Sequence, residues 1–362
     1  MGEPKLRVLH SLHQGGGSGS VMSVLRIARG IAARGHQVGL VCPPDSEIER
    51  DARASGLAVY PIALASGGRF GNARALAALL AGHPVDLVNA HGSRDREAFT
   101  WLGLTRRLAA PLVITRHSYP RTAVLENLLA SRVARRVIAF SEPVAEQLAR
   151  RGTPRARLRV IHGGLMLDRI DRAVTTVELG EWRARIGWEP SRRTVGIVAR
   201  PKDQQVVLSA LSRVQTPVRL VLAGLSGDAL SRPLGPLPAR HAVVRLPFAP
   251  AIRPLYDLLD LALHPSRFDA FPQAVLEAMA LGKPVIASDA TGNAVIIQNG
   301  VNGLLVAPED PAAWAAAIDR VLTDAALAAR LGAAAVRRAR EDFPFERTID
   351  LTLALYREVL EC

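Results

Sequence analysis

Short apolar runs alternate with segments of helical spacing along most of this chain, and that order constrains the fold more than any other feature. Residues 5–11 read as a strand. In residues 21–34, Val21, Val24, Leu25, Ala28, Ile31 and Ala32 recur at helical spacing. Gly35 and His36 end that helix, and residues 38–41 form the next strand. The pattern then repeats, with helices over 73–81, 94–107 and 122–135 and strands over 85–90, 112–115, 137–140 and 158–161. Thr122 is the expected N-cap of the third of these helices. Strand, helix, strand in this order implies parallel sheets joined by crossovers, hence an α/β, doubly wound chain. A length of 362 residues suggests two or three domains, and 165–174 reads as the linker into the second. Beyond it come a strand over 194–198, a helix over 204–211, strands over 218–223, 243–246 and 261–264, and three closing helices over 310–322, 324–340 and 346–360.

Composition narrows the function classes. Aromatic residues make up 4% of the chain, which disfavours base-stacking platforms. Cys42 and Cys362 are far apart, form no metal pattern and suit a reducing compartment. No His, Cys, Asp or Glu group has metal-ligand spacing, and no serine elbow is present. With no run of about 18 apolar residues, no transmembrane helix is expected. No apolar signal-peptide core follows Met1, so a cytoplasmic protein is expected. The net charge of +13 is uneven: residues 1–170 hold 24 Lys and Arg against 12 Asp and Glu, and 171–362 hold 22 against 21. A one-sided cationic surface attracts polyanions such as anionic lipid, nucleic acid or a phosphorylated acceptor; an Arg-rich genome would produce part of the same excess.

Two loops carry candidate chemistry. Gln14-Gly15-Gly16-Gly17-Ser18-Gly19-Ser20 follows the first strand. It is not a P-loop, since no Gly-Lys-Ser/Thr follows, and Ser20 stands where a dinucleotide fingerprint needs its third glycine. Its glycines let backbone N–H groups approach an anion, or they serve as a flexible connection. The second loop enters a helix expected over 273–281, with Pro272 in its first turn. Asp269 lies just before that helix and Glu277 about two turns inside it; a helix N-terminus suits phosphate or sugar oxygens. Two solvated carboxylates on an ordinary crossover would give the same spacing.

The residues here resemble a known family. His264-Pro265-Ser266, Asp269-Ala270-Phe271-Pro272 and Leu276-Glu277-Ala278-Met279-Ala280-Leu281-Gly282-Lys283-Pro284-Val285 look like the donor-site signature of retaining family-four glycosyltransferases of the GT-B fold. That resemblance implies two Rossmann-like doubly wound domains facing an interdomain cleft. An acceptor-side domain would span 1–170 and a donor domain 171–342, with helix 343–362 packing back on the first. It implies that Asp269 meets the donor sugar and Glu277 the ribose, with Phe271 and Pro272 beside them. Thr115-Arg116-His117 resembles the family's Thr-(any)-His, so His117 joins Asp269 as a catalytic residue; His91 matches a weaker pattern. Arg200 and Lys202, with the glycine-loop amides of Gly16 and Gly17, would bind the donor diphosphate.

The sequence departs from the pattern at three places. Asp269 replaces the usual Glu, Val295 stands where a further Glu often follows, and Pro201 alone separates Arg200 from Lys202.

The expected activity is transfer of a sugar from a nucleotide diphosphate sugar to a glycan or lipid-linked acceptor, with retention, in cell-envelope glycan synthesis of lipopolysaccharide type. No tightly bound cofactor and no metal is required, since cationic side chains can neutralise the leaving diphosphate. The cationic N-terminal half suits docking on an anionic inner membrane leaflet. A catalytically degenerate sugar-nucleotide binder is the alternative. A basic nucleic-acid-binding protein is a further one, though no stacking motif or helix-turn-helix supports it and no nucleic-acid partner is expected.

Overall fold

A computed structural model describes residues 4–16, 19–120, 122–165, 167–231, 234, 236–249 and 251–361. The chain divides into two compact units, residues 1–164 with 346–362, and residues 165–345.

The first unit is built on seven strands: β1 (Arg7–Ser11), β2 (Gln37–Cys42), β3 (Ala58–Pro61), β4 (Leu87–Ala90), β5 (Leu112–Arg116), β6 (Ala134–Ala139) and β7 (Leu158–Val160). They lie in the order β3-β2-β1-β4-β5-β6-β7, all parallel. Val8 is in register with Val38 on one side and Leu87 on the other. β4 and β5 are buried at every position, as strands covered on both faces must be. Polar side chains in these strands must therefore find partners. Thr115 Oγ1 donates to Asn89 Oδ1 at 2.9 Å, and Asn89 Nδ2 donates to the Tyr356 hydroxyl at 2.6 Å. Tyr356 lies on the closing helix, Phe345–Glu361, whose Glu358 also pairs with Arg136 and Arg159.

The second unit carries β8 (Arg193–Val198), β9 (Val218–Leu225), β10 (Ala242–Pro247), β11 (Leu261–His264), β12 (Val285–Ser288) and β13 (Leu304–Val306). Their order is β10-β9-β8-β11-β12-β13, again parallel. Its core packs Val195, Ile197, Leu220, Leu263 and Ile286 of the sheet against Trp314 and Ile318 of helix Pro311–Thr323. Asp310 caps that helix by accepting from the amides of Ala312 and Ala313.

Several local expectations change. Ala123, not Thr122, is the N-cap of helix Val124–Val133; the Thr122 hydroxyl donates to Asn127 Oδ1 at 2.8 Å instead. That helix is also shorter than expected, because β6 already begins at Ala134. Residues 165–174 are not a bare linker. Leu165 is buried and exchanges backbone hydrogen bonds with Phe343 and Phe345, and a short helix, Leu167–Asp171, follows. Helix Glu47–Ala54 and β3 lacked a clear apolar period: the helix buries only Ile48 and Ala52, and β3 is a partly exposed edge strand. Helix Thr176–Ile186 was legible only in its capping box, Thr175 with Glu178.

Trp314 is fully buried, and its indole N–H donates to the Ala307 carbonyl at 3.1 Å. Trp314→Ala should cost about 3–5 kcal/mol, read as a lower urea midpoint for residues 165–345. A loss below about 1 kcal/mol would show that this core is not the one described.

Candidate active site

In an open parallel sheet, a site forms where crossovers leave two neighbouring strands in opposite directions. In the second unit these strands are β8 and β11. Their following loops carry residues 199–203 and 265–272. Asp203 adopts φ +51°, and its carboxylate accepts from the Arg267 amide at 2.9 Å and Arg267 Nε at 3.2 Å. This ties the two loops together. Gly224, at φ +100° on β9, lets the first loop pass close by: a Cβ there would lie 2.9 Å from the Ala199 carbonyl oxygen.

Across the tied loops Lys202 Nζ pairs with Asp269 Oδ1, and His264 Nε2 bonds Asp269 Oδ2 at 2.9 Å. Burial pushes the Asp269 carboxyl up, but the bonds from His264 and Lys202 outweigh it and hold the group far below the usual carboxylate range. Asp269 is therefore an anion at any physiological pH, and its two oxygens are acceptors.

The loop bearing it is held from behind. The Gly292 amide donates to the Asp269 carbonyl at 2.9 Å, and the Thr291 hydroxyl donates to the Arg267 and Asp269 carbonyls at 3.0 and 3.2 Å. Ser288 Oγ and Asn293 Nδ2 both donate to the Ser266 carbonyl.

The other expected residues of this unit fall around that cluster. Pro272 is the N-cap of helix Gln273–Ala280, one position earlier than a first-turn proline. Phe271 is buried and meets Phe343 edge-on at 5.3 Å, so its ring supports the loop from the core side. Glu277 Oε2 accepts from the Tyr256 hydroxyl at 3.1 Å and borders a cavity of about 360 Å³ with Ile170, Ile252, Arg172 and Arg253. Arg200 is exposed, and its guanidinium makes no hydrogen bond or ion pair with a described residue. Val295 offers only its carbonyl, which accepts from Arg338.

In the first unit the strands that diverge are β1 and β4. Gly16 is exposed in the loop after β1, while Gly17 lies outside the described residues. His117 follows β5 and is not alone. His10 Nδ1 lies 2.8 Å from His91 Nε2, and His91 Nδ1 lies 2.9 Å from His117 Nε2. Asp95 accepts from the amides of His91 and Gly92 at 2.9 and 2.8 Å and meets His13 at 3.1 Å. Gly92 is required there, since a Cβ would sit 2.2 Å from His13 Nδ1. Burial pushes the His10 imidazole down to about 3. Burial also pushes His117 down to about 3, aided by His10 and by the Arg116 charge.

Sequence reasoning missed His10, Tyr256, Thr291 and Asn293. The readable signal for His10 was a polar residue inside an otherwise apolar central strand.

Two doubly wound parallel sheets, one with a lysine–aspartate–histidine cluster at its point of divergence, define the GT-B class. Residues 17–169 match the family model Glycosyltransferase Family 4, and residues 192–324 match Glycosyl transferases group 1. The chain belongs to these family-four glycosyltransferases. It is 31% identical over 318 residues to the D-inositol 3-phosphate glycosyltransferase of Mycobacterium marinum, covering 79% of this chain and 66% of that protein. The chain spans roughly 62–66% of the length of such curated relatives. Among solved structures, HepE of Anabaena in complex with UDP and glucose superposes with a TM-score of 0.81 at 22% identity, covering 98% of this chain and 100% of that one. A glycosyltransferase of Rickettsia africae gives 0.84 at 18% identity, covering 99% of both chains.

A Cβ at Gly292 would lie 2.4 Å from the carbonyl oxygens of Asp269 and Ala270. Gly292→Ala should therefore displace the Asp269 loop and cost about 1–3 kcal/mol, read as a lower Tm. Gly71→Ala, in an open helical position, is the control and should not destabilise. Equal behaviour of the two variants would refute the close approach.

The histidines give a pH prediction with a definite sign. Their folded values lie below the ordinary histidine value of 6.5, so the unfolded chain binds more protons below that pH. The stability of the neutral rings is fully present above pH 6.5 and is lost as pH falls toward 3. Each ring removes up to about 1.4 kcal/mol per pH unit in that window. Urea midpoints from pH 7 to 4 should fall less steeply for His10→Phe than for wild type; parallel curves would contradict the assignment.

Proposed function

We propose that this chain is a retaining hexosyltransferase that moves a sugar from a nucleotide diphosphate sugar to a glycan or lipid-linked acceptor. It acts in cell-envelope glycan synthesis of lipopolysaccharide type, in the cytoplasm and at the anionic inner face of the membrane. The observation that carries the reading is the Lys202–Asp269–His264 cluster at the divergence of β8 and β11.

Departure of a diphosphate leaves positive charge on the sugar and negative charge on the leaving group. Lys202 and the exposed Arg200 supply cations for the second, as would Gly16 and Gly17 amides. Asp269 stays ionised, so it serves as an acceptor for sugar hydroxyls and not as a general acid. Glu277, beside its cavity, is the ribose acceptor, with Phe271 and Pro272 shaping the loop that faces the sugar. His117 completes the sugar side. No covalent nucleophile is invoked, and cationic side chains do the work of a divalent metal.

HepE of Anabaena has been solved with UDP and with UDP-glucose, which supports a UDP-sugar donor.

The acceptor side rests on the first unit. A groove of about 700 Å³ there is lined by Trp101, Leu104, Leu125 and Leu129 together with Arg69, Arg94 and Arg96. Phe70 and Leu125, exposed at 67% and 64%, extend its apolar face. Glu97 and Glu126 also line it and pair with Arg69 and Arg96, so Arg94 is left as its unneutralised cation among the described residues; an apolar groove with such a rim fits an amphiphilic acceptor. No helix among the described residues is long and apolar enough to cross a membrane.

The test is a thermal-shift titration with UDP, GDP, ADP, CMP and dTDP on wild type and Glu277→Ala, followed by sugar-nucleotide turnover with and without EDTA. At a hundred times its Kd, the cognate nucleotide should stabilise wild type by about 2.7 kcal/mol. It should stabilise the variant much less, and turnover should survive EDTA. Binding without transfer or hydrolysis would favour the degenerate binder that Asp269 and Val295 suggest. No stabilisation by any nucleotide would overturn the reading.

A further inference from the structure

The three histidines of the first unit come from three adjacent strands. His10 lies within β1, His91 directly follows β4, and His117 directly follows β5. Their ring centroids lie 5.1 Å apart in both successive pairs, with ring planes inclined by 14° and 33°. The two N···N contacts, 2.8 and 2.9 Å, are full hydrogen bonds, so each holds one proton. The outer nitrogens, His10 Nε2 and His117 Nδ1, are buried and have no hydrogen-bond partner among the described residues.

That arrangement leaves two protonation patterns for neutral rings. In the first, His10 Nδ1–H donates to His91 Nε2, His91 Nδ1–H donates to His117 Nε2, and His117 keeps its proton on Nδ1. In the second, every proton sits on the ε nitrogen, all donation runs toward His10, and His10 Nε2–H is left over. A mixed pattern puts two protons, or none, in one contact. The tautomers of the three rings are thus one variable. Deep burial keeps all three rings neutral, which preserves this constraint at physiological pH.

The ends of the chain decide between the patterns. Either one leaves a single N–H without an acceptor, and a buried unsatisfied donor costs its full desolvation. His10 is fully buried, with the Tyr356 ring 6.4 Å away, and nothing there can be supplied later. His117 is only half-buried as a residue, whereas His10 and His91 are buried, so its end is the one nearer solvent; Nδ1 itself is covered, and a water or a ligand oxygen reaches it after a local opening.

We propose that His91, backed by His10 at the buried end of the chain of rings, is a positioning residue that locks the tautomer of His117, so that His117 presents Nδ1–H as a hydrogen-bond donor to the bound sugar. The proposal rests on the reading of His117 as a sugar-side residue. The lock itself does not, and the two are separable by experiment.

The chain predicts a spectroscopic signature. In ¹⁵N-histidine-labelled wild type, long-range ¹H–¹⁵N spectra should show His10, His91 and His117 all protonated at Nδ1. In His91→Phe, His117 loses its acceptor role at Nε2, and its proton should redistribute toward that atom. His10→Phe makes His91 Nε2 the buried end, so His91 and His117 should both stay protonated at Nδ1. Kinetically, His91→Phe should lower kcat about 10- to 100-fold, the size of effect seen when a partner that orients a metal-bound histidine is removed. KM for the sugar nucleotide should change little.

Rings of mixed polarity in the wild-type spectrum would overturn the lock, and this measurement needs no variant to fold. An unchanged His117 tautomer in folded His91→Phe would do the same. A locked chain in a protein that binds no nucleotide would leave the lock standing and remove the sugar-side reading of His117. A locked chain whose release leaves kcat intact would show that the lock does not position His117 for the reaction.

Discussion

A half-buried carboxylate that must stay charged is the constraint on which the donor-side structure depends. An uncompensated ion in a protein interior costs several kcal/mol, so Asp269 requires cationic or N–H partners on both oxygens. Lys202 supplies one and His264 the other. These partners come from different strands, so the requirement is met only if β8 and β11 are neighbours and their loops turn apart at the same end of the sheet. The parallel order of the sheet, the Asp203–Arg267 tie and the Gly292 contact all serve that geometry.

The first unit solves the opposite problem. Beside the buried charges of Asp95, Arg96 and Arg116, it holds two sets of buried neutral side chains that bond chiefly to one another. Asn89, Thr115 and Tyr356 form one chain of bonds across β4, β5 and the closing helix. The three histidines form a second chain across β1, β4 and β5. The bonds within each chain depend on one another, so removal of one member strands its neighbours. Residues 346–361, at the far end of the sequence, therefore complete a network begun at β4.

Much of this was legible because the sheet is parallel. Its strands must be apolar throughout and its helices must carry one apolar stripe, so β1, β11 and helix Gly19–Ala33 announce themselves by periodicity. The helix at Glu47–Ala54 and the strand at Ala58–Pro61 do not, since one is mostly charged and the other is an edge. The position of Asp269 before a helix was readable from Pro272 and the helix formers after it. Its partners were not: Lys202 lies 67 residues away, and the pairing depends on strand order, which local patterns do not encode. The histidine chain was hidden for the same reason, with 81 and 26 residues between successive members. Phe271 shows the converse. A motif places it beside the site, yet its ring turns inward to Phe343, a distinction that only packing reveals.

The substitution of Asp for Glu at position 269 acquires a physical meaning in this setting. A carboxylate one methylene shorter keeps its charge nearer the backbone, where Thr291 and Gly292 fix the carbonyl of the same residue. The shorter group still reaches both Lys202 and His264. Each oxygen accepts more than one hydrogen bond, so both engaged oxygens retain capacity for a ligand hydroxyl. Lys202, in turn, holds three N–H donors and commits to Asp269 only part of what it can give. On the proposed reading, a diphosphate would share Lys202 with Asp269 and the sugar would share Asp269 with Lys202. Each half of the donor then strengthens the setting of the other. The loss of a downstream carboxylate at Val295 fits that economy, because one fewer anion competes for a cluster with a single lysine at its centre.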